Sequence, residues 1–167
     1  SRLGYDPASS GLLTNTSSLS PREIHPAAAG LHFFNPVHAL RFAEFAAPPG
    51  TRTLGMEDLV HRLDGLGFAL IETECNRGYI GNYILFREIA AALQLIDRHH
   101  YTSRAIDEVL KHMGRPVSLF EIIDLVGVDV TLRIIQNLRG EDPSIYLSPL
   151  LQRALSEGIL GRKNQTS

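Results

Sequence analysis

Residues 77–100, "RGYIGNYILFREIAAALQLIDRHH", decide how this chain is divided. The run reads as one long helix that is apolar on most of its faces, and such a helix is buried, here at a subunit or domain interface. Every signal after it is helical. Thr102 caps a second helix that stops at Gly114 with Pro116 beyond it, and "SLFEIIDLVG" makes a third. Asp129 caps a fourth that ends at Gly140, and Ser148-Pro149 opens a fifth that ends at Gly158. The tail "GRKNQTS" is polar and expected to fray.

Before Cys75 the pattern is different. Short apolar runs, "GLLTNTSS", "GLHFFNP", "ALRFAEF" and "GFALIE", alternate with Gly, Pro and Ser breaks and read as strands. One helix lies between them at "MEDLVHRLDGLG", where Leu59, Val60, Leu63 and Leu66 recur at helical spacing. "SLSPRE" reads as a helix start with Ser20 as N-cap and Glu23 three residues later. The expected organisation is therefore an α/β portion over residues 1–75 and an all-α helical portion over 76–167. So few strands cannot make both faces of a parallel sheet, so the chain is expected to begin partway through an α/β domain.

Composition narrows the function classes. The chain has 167 residues, 44% hydrophobic and 20% charged, which is ordinary for a globular protein with a sizeable core. A net charge of −2 and a pI near 6.4 give no basic field for nucleic acid. The single cysteine, Cys75, rules out an internal disulfide and fits a reducing compartment. The longest apolar run, Ile89 to Ile96, is interrupted by Gln94 and is far short of a membrane span. No basic segment followed by an apolar one opens the chain, so an intracellular, soluble protein is expected.

Candidate chemistry centres on "LHFFNPV" (Leu31–Val37) and the lone carboxylate of "LRFAEF", Glu44. His32 sits at the end of an expected strand, and strand carboxyl ends are where α/β sheets bind ligands. The plainer role for it is a core histidine bonded to a backbone carbonyl. Glu44 lies among Leu40, Phe42, Ala43, Phe45 and Ala46, an expensive place for a charge without a proton donor beside it. A Glu bonded to one imidazole nitrogen would fix the tautomer and make the other nitrogen a general base; the plainer role is an exposed residue of an edge strand. Ser17 and Ser18 follow another strand end and could bond a substrate oxygen, although turn duty is the commoner use. Asn82, inside the apolar helix, needs a partner, which could be another helix. "GLGFAL" has Leu70 where a third Gly would stand, and no dinucleotide fingerprint occurs in the 167 residues. His99 and His100 are adjacent and so make no i, i+4 metal pair, and no metal site is expected. Cys75 has no nucleophile signature around it and reads as a small apolar residue.

Taken in order, "TNTSSLSPREI", "GLHFFNPV", the Glu of "LRFAEF", "GYIGNYILFREIAAAL", "IDEVLKHMGRPVSLFEIIDLVGVDV" and "PLLQRALSEGILGRK" resemble the L-3-hydroxyacyl-CoA dehydrogenase family over almost the whole chain. The resemblance implies the end of a Rossmann-type NAD-binding domain followed by a helical domain that supplies a homodimer contact. It also implies NAD-dependent oxidation of a 3-hydroxyacyl-CoA to the 3-ketoacyl-CoA in β-oxidation, in the cytoplasm or, in a eukaryote, the mitochondrial matrix or peroxisome. By motif, His32 is similar to the catalytic base and Glu44 to the carboxylate that orients it. Ser17 and Asn82 match groups that bond the substrate oxygen, and Asn15 and Asn35 lie in motifs lining the nicotinamide side. Arg77 stands where the family usually has Pro, and Tyr83 where it usually has Arg. With no phosphate-binding loop present, the 167 residues alone are expected to be inactive. The alternative is a non-catalytic dimerisation or scaffold module in which the His-Glu pair is a relic.

Overall fold

The computed structural model describes residues 11–115 and 117–164, so Pro116 and the last three residues of the tail lie outside the described residues. The chain forms two compact units, the first closing at Asn82 and the second opening at Tyr83.

The first unit is built on a four-stranded sheet of order β1-β2-β3-β4: β1 (Leu12–Thr14), β2 (Ala28–Phe33), β3 (Phe42–Ala46) and β4 (Ala69–Glu72). β1 and β2 run parallel, as do β3 and β4, but β2 and β3 are antiparallel, so the sheet is mixed rather than parallel. The direct return from β2 to β3 needs only a short link, carried by α2 (Val37–Leu40), and an antiparallel pair is what a short link allows. β3 and β4 are joined by a longer crossover carrying α3 (Leu54–Gly65), capped by Thr53, whose hydroxyl accepts from the Met56 N–H. α1 (Pro21–Ile24) precedes β2; its N-cap Ser20 and Glu23 form the expected capping box.

Alternation along β2 and β3 sorts their side chains onto two faces. Ala29, Leu31, Ala43 and Phe45 join Met56 in a core completed by Leu59, Val60 and Leu63 of α3. His32 and Glu44 therefore point to the other face.

The helices are α4 (Gly81–His99), α5 (Ser103–His112), α6 (Leu119–Val126), α7 (Val128–Glu141) and α8 (Pro149–Ser156), followed by a 3₁₀ turn, Gly161–Asn164. α4 begins four residues later than its apolar run, because Gly78 (φ 74°) and Tyr79 (φ 51°) are left-handed and cannot continue a right-handed helix. It is also more one-sided than its composition suggests: Phe86, Ile89, Ala90 and Leu93 are buried, while Ile84 and Leu95 are exposed.

In the second unit those buried side chains pack with Ile106, Leu119, Ile123, Leu132, Ile135 and Leu138. Thr102, Ser118 and Ser148 cap α5, α6 and α8 through their hydroxyls. Asp129 is not a cap; it lies in the first turn of α7, whose N-cap is Gly127. No helix among the described residues is long and apolar enough to cross a membrane.

Candidate active site

The antiparallel register of β2 and β3 sets His32 directly opposite Glu44, on the face away from α3. The imidazole Nδ1 lies 3.0 Å from Glu44 Oε2. Both side chains are buried, His32 at 4% and Glu44 at 1% exposure, so Glu44 is no solvent-facing edge residue and His32 is bonded to a side chain rather than to a backbone carbonyl.

A buried carboxylate needs more than one donor. The second oxygen, Oε1, accepts from the backbone N–H groups of Ile80 and Gly81, each at 2.9 Å. These amides open α4, where N–H groups have no intrahelical acceptor, so Glu44 satisfies a helix start while it holds the histidine. A carboxylate accepting at all three positions leaves Nδ1 as the donor, and the lone pair then sits on Nε2.

The walls of the site are aromatic. Phe34 is tilted against the His32 ring with centroids 4.4 Å apart, and Tyr79 stacks on it at 5.0 Å with an interplanar angle of 19°. Phe34 in turn stacks on Phe42 at 4.4 Å. A Cβ at Gly81 would enter the Phe34 ring, so the ring would have to shift to admit one. Tyr79 is itself 3% exposed; burial pushes its phenol well above the usual range, with the charges of Cys75 and Glu44 adding to the effect.

The turn that carries Tyr79 is tethered to α1. Arg77 Nε donates to Glu23 Oε2 at 2.8 Å, and the Ser20 N–H donates to the same oxygen at 2.8 Å. The Arg77 guanidinium holds the Glu23 carboxyl below its usual range. The Ser20 hydroxyl donates to the Cys75 carbonyl. Cys75 is partly buried and its thiol is pushed up by that burial, which disfavours the thiolate a nucleophile needs.

The remaining sequence candidates divide. Asn82 is buried and its Nδ2 donates to the backbone carbonyl of Ser17 at 2.7 Å, so the two meet through main chain rather than through the serine hydroxyl. Ser17 is exposed. Asn15 is exposed and its Oδ1 accepts from the Phe33 N–H at 3.4 Å, against the end of β2. Asn35, also exposed, forms a cis bond to Pro36 just beyond β2. His99 ends α4 and His100 follows it at φ 58°, and no group of three metal-ligating side chains occurs among the described residues. Sequence reasoning missed Tyr79 and the amides of Ile80 and Gly81; the signal available was Gly78, a breaker inside an apolar run.

Residues 78–167 match the family model described as "3-hydroxyacyl-CoA dehydrogenase, C-terminal domain". The human mitochondrial hydroxyacyl-coenzyme A dehydrogenase is 32% identical over 160 residues, covering 90% of this chain and 51% of that protein. The crystal structure of FadB2 from M. tuberculosis superposes with a TM-score of 0.88 at 26% identity, over 99% of this chain and 61% of that one. The (S)-3-hydroxybutyryl-CoA dehydrogenase PaaH1 of Ralstonia eutropha gives 0.82 at 26% identity, over 91% of this chain and 57% of that one. The chain thus spans about half the length of the curated relatives it matches.

Proposed function

The chain belongs to the 3-hydroxyacyl-CoA dehydrogenase family, and on that footing we propose that it forms the catalytic half of an enzyme that oxidises (S)-3-hydroxyacyl-CoA to 3-ketoacyl-CoA with NAD. The observation that carries the reading is the pairing of buried His32 with buried Glu44 at 3.0 Å. Two buried titratable groups with a fully satisfied carboxylate are a costly arrangement for a merely structural contact, and an apt one for moving a proton.

In this reading His32 takes the proton of the substrate hydroxyl on Nε2, the ring nitrogen that Glu44 leaves unprotonated. Glu44 fixes the tautomer and faces the imidazolium that results. Ser17 and Asn82 hold the substrate oxygen, with the Asn82 amide oriented by the Ser17 carbonyl. NAD, when bound, supplies the hydride acceptor. The residues present fit its nicotinamide end: Asn15 and Asn35 flank the strand end that carries His32, and the aromatic walls exclude water there. They do not fit its pyrophosphate, because the 167 residues hold no G-x-G-x-x-G loop, so the phosphates fall to other residues of the enzyme and these residues alone turn nothing over. The division of labour follows the sequence pattern, with residues 1–75 closing the dinucleotide-binding domain and 76–167 forming the helical one. The helical portion joins two copies; its exposed Ile84, Leu95, Leu125 and Leu150 supply apolar surface for that contact.

The test is NADH formation from a short-chain (S)-3-hydroxyacyl-CoA by the full-length protein, wild type beside His32→Gln. Loss of a general base costs roughly 10²–10⁴-fold in kcat. A wild type with no turnover would sink the reading and leave the pair as a relic in a dimerisation module.

A further inference from the structure

We infer that Tyr79 is a positioning residue for His32, fixing the plane of the imidazole through its ring and the place of Glu44 through its backbone; the inference rests on His32 being the base. Its ring stacks on His32 at 5.0 Å and 19°, opposite in kind to the tilted contact of Phe34. Glu44 holds only one edge of the imidazole, at Nδ1. A single hydrogen bond leaves the ring free to rock about that bond, and a parallel aromatic plane removes the freedom.

The backbone observation is independent of the ring. Tyr79 sits at φ 51°, a left-handed conformation that a residue with a Cβ keeps only where its surroundings over-determine it. The surroundings here are the two N–H groups that follow: those of Ile80 and Gly81 reach Glu44 Oε1 from this turn. One residue thereby sets the ring of the base and the donors of its carboxylate partner.

The phenol oxygen points to the ring as the functional part. It is buried and has no hydrogen-bond partner among the described residues. Gly30 opens the space it occupies: a Cβ there would run into the hydroxyl and the adjoining ring carbon. The hydroxyl makes no visible contribution to holding His32, so phenylalanine should do the positioning nearly as well.

The experiment compares the full-length protein with Tyr79→Phe and Tyr79→Leu, reading kcat and KM alongside the NMR signals of the His32 ring. Stacking shifts the His32 ring protons upfield. That shift should persist in Tyr79→Phe and collapse in Tyr79→Leu, where kcat falls roughly 10–100-fold while KM changes little; Tyr79→Phe rescues most of the loss. Gly30→Ala is the second perturbation should Tyr79→Leu fold poorly, displacing the ring without removing it. Its effect on the His32 signals should shrink in the Gly30→Ala/Tyr79→Phe double variant. Unmoved His32 signals in both Tyr79→Leu and Gly30→Ala, or a Tyr79→Phe variant as impaired as Tyr79→Leu, would overturn the inference. A wild type without turnover whose His32 signals still respond to Tyr79→Leu would refute the dehydrogenase reading while the stacking dependence stands.

Discussion

Replacing Glu44 by glutamine keeps the shape of the side chain and changes which atoms donate. Oε1 accepts from Ile80 and Gly81, and Oε2 faces His32 Nδ1. If the glutamine oxygen stays on the two backbone amides, its NH₂ points at Nδ1, which must become an acceptor. The ring proton then moves to Nε2, the nitrogen that takes the substrate proton in the proposed reaction. Restoring the working tautomer sets donor against donor: it forfeits a charge-assisted hydrogen bond of about 1.5–3 kcal/mol and strands a buried donor at about 1–3 kcal/mol. If the amide flips instead, two backbone N–H groups lose their acceptor at about 1–3 kcal/mol each, a similar sum. Either route comes to about 2–6 kcal/mol, which at 1.36 kcal/mol per decade is roughly a 30- to 3 × 10⁴-fold loss in kcat. The assay is NADH formation by the full-length Glu44→Gln protein, with ¹⁵N shifts of the His32 ring reporting the tautomer. Turnover within tenfold of wild type, with the tautomer unchanged, would refute the assignment of the ring orientation to Glu44.

Gly81→Ala should destabilise the protein by about 1–3 kcal/mol in a urea titration, because the new methyl enters the Phe34 ring, which is itself stacked on Phe42; an unchanged midpoint would show that the aromatic wall yields freely. Asp142 is held at about 2, below its ordinary 3.8, by hydrogen bonds from the Ser144 hydroxyl and N–H and from the Tyr83 hydroxyl, with Arg87 beside it. A depressed carboxyl stabilises the fold above its unfolded value and loses that contribution as pH falls from 3.8 towards about 2, so Asp142→Asn should flatten the acid limb of a stability-versus-pH curve; an identical limb would remove Asp142 from the acid response.

The sequence showed the chemistry more readily than the geometry that holds it. His32 and Glu44 stood out because a charge among Leu40, Phe42 and Phe45 has to be explained, and spacing alone allowed the two to meet. What spacing could not supply was strand direction: the same residues in a parallel pair would not face each other, and the antiparallel step between β2 and β3 interrupts a pattern otherwise typical of a parallel sheet. The caps Thr102 and Ser148 were readable because hydroxyls before apolar runs act locally. Asp129 misled for the same reason, since a carboxylate is as favourable in the first turn as at the cap. Asn82 meets Ser17 through the serine carbonyl. Main-chain partners leave no trace in residue identity.

That difference bears on where the site ends. The family model begins at residue 78, after His32 and Glu44 but before Tyr79, Ile80, Gly81 and Asn82. The contact pattern instead keeps all of these in one compact unit that closes at Asn82. The change from strand-like to helix-like sequence near residue 75 therefore falls inside this cluster: a chain cut there would keep His32 and Glu44 and lose both amides on Oε1. Arg77 lies in the same stretch and ties the turn to Glu23 in the capping box of α1. The His32–Glu44 pair thus depends on a sheet register on one side and on an ion-paired turn on the other, and each can be perturbed without touching His32.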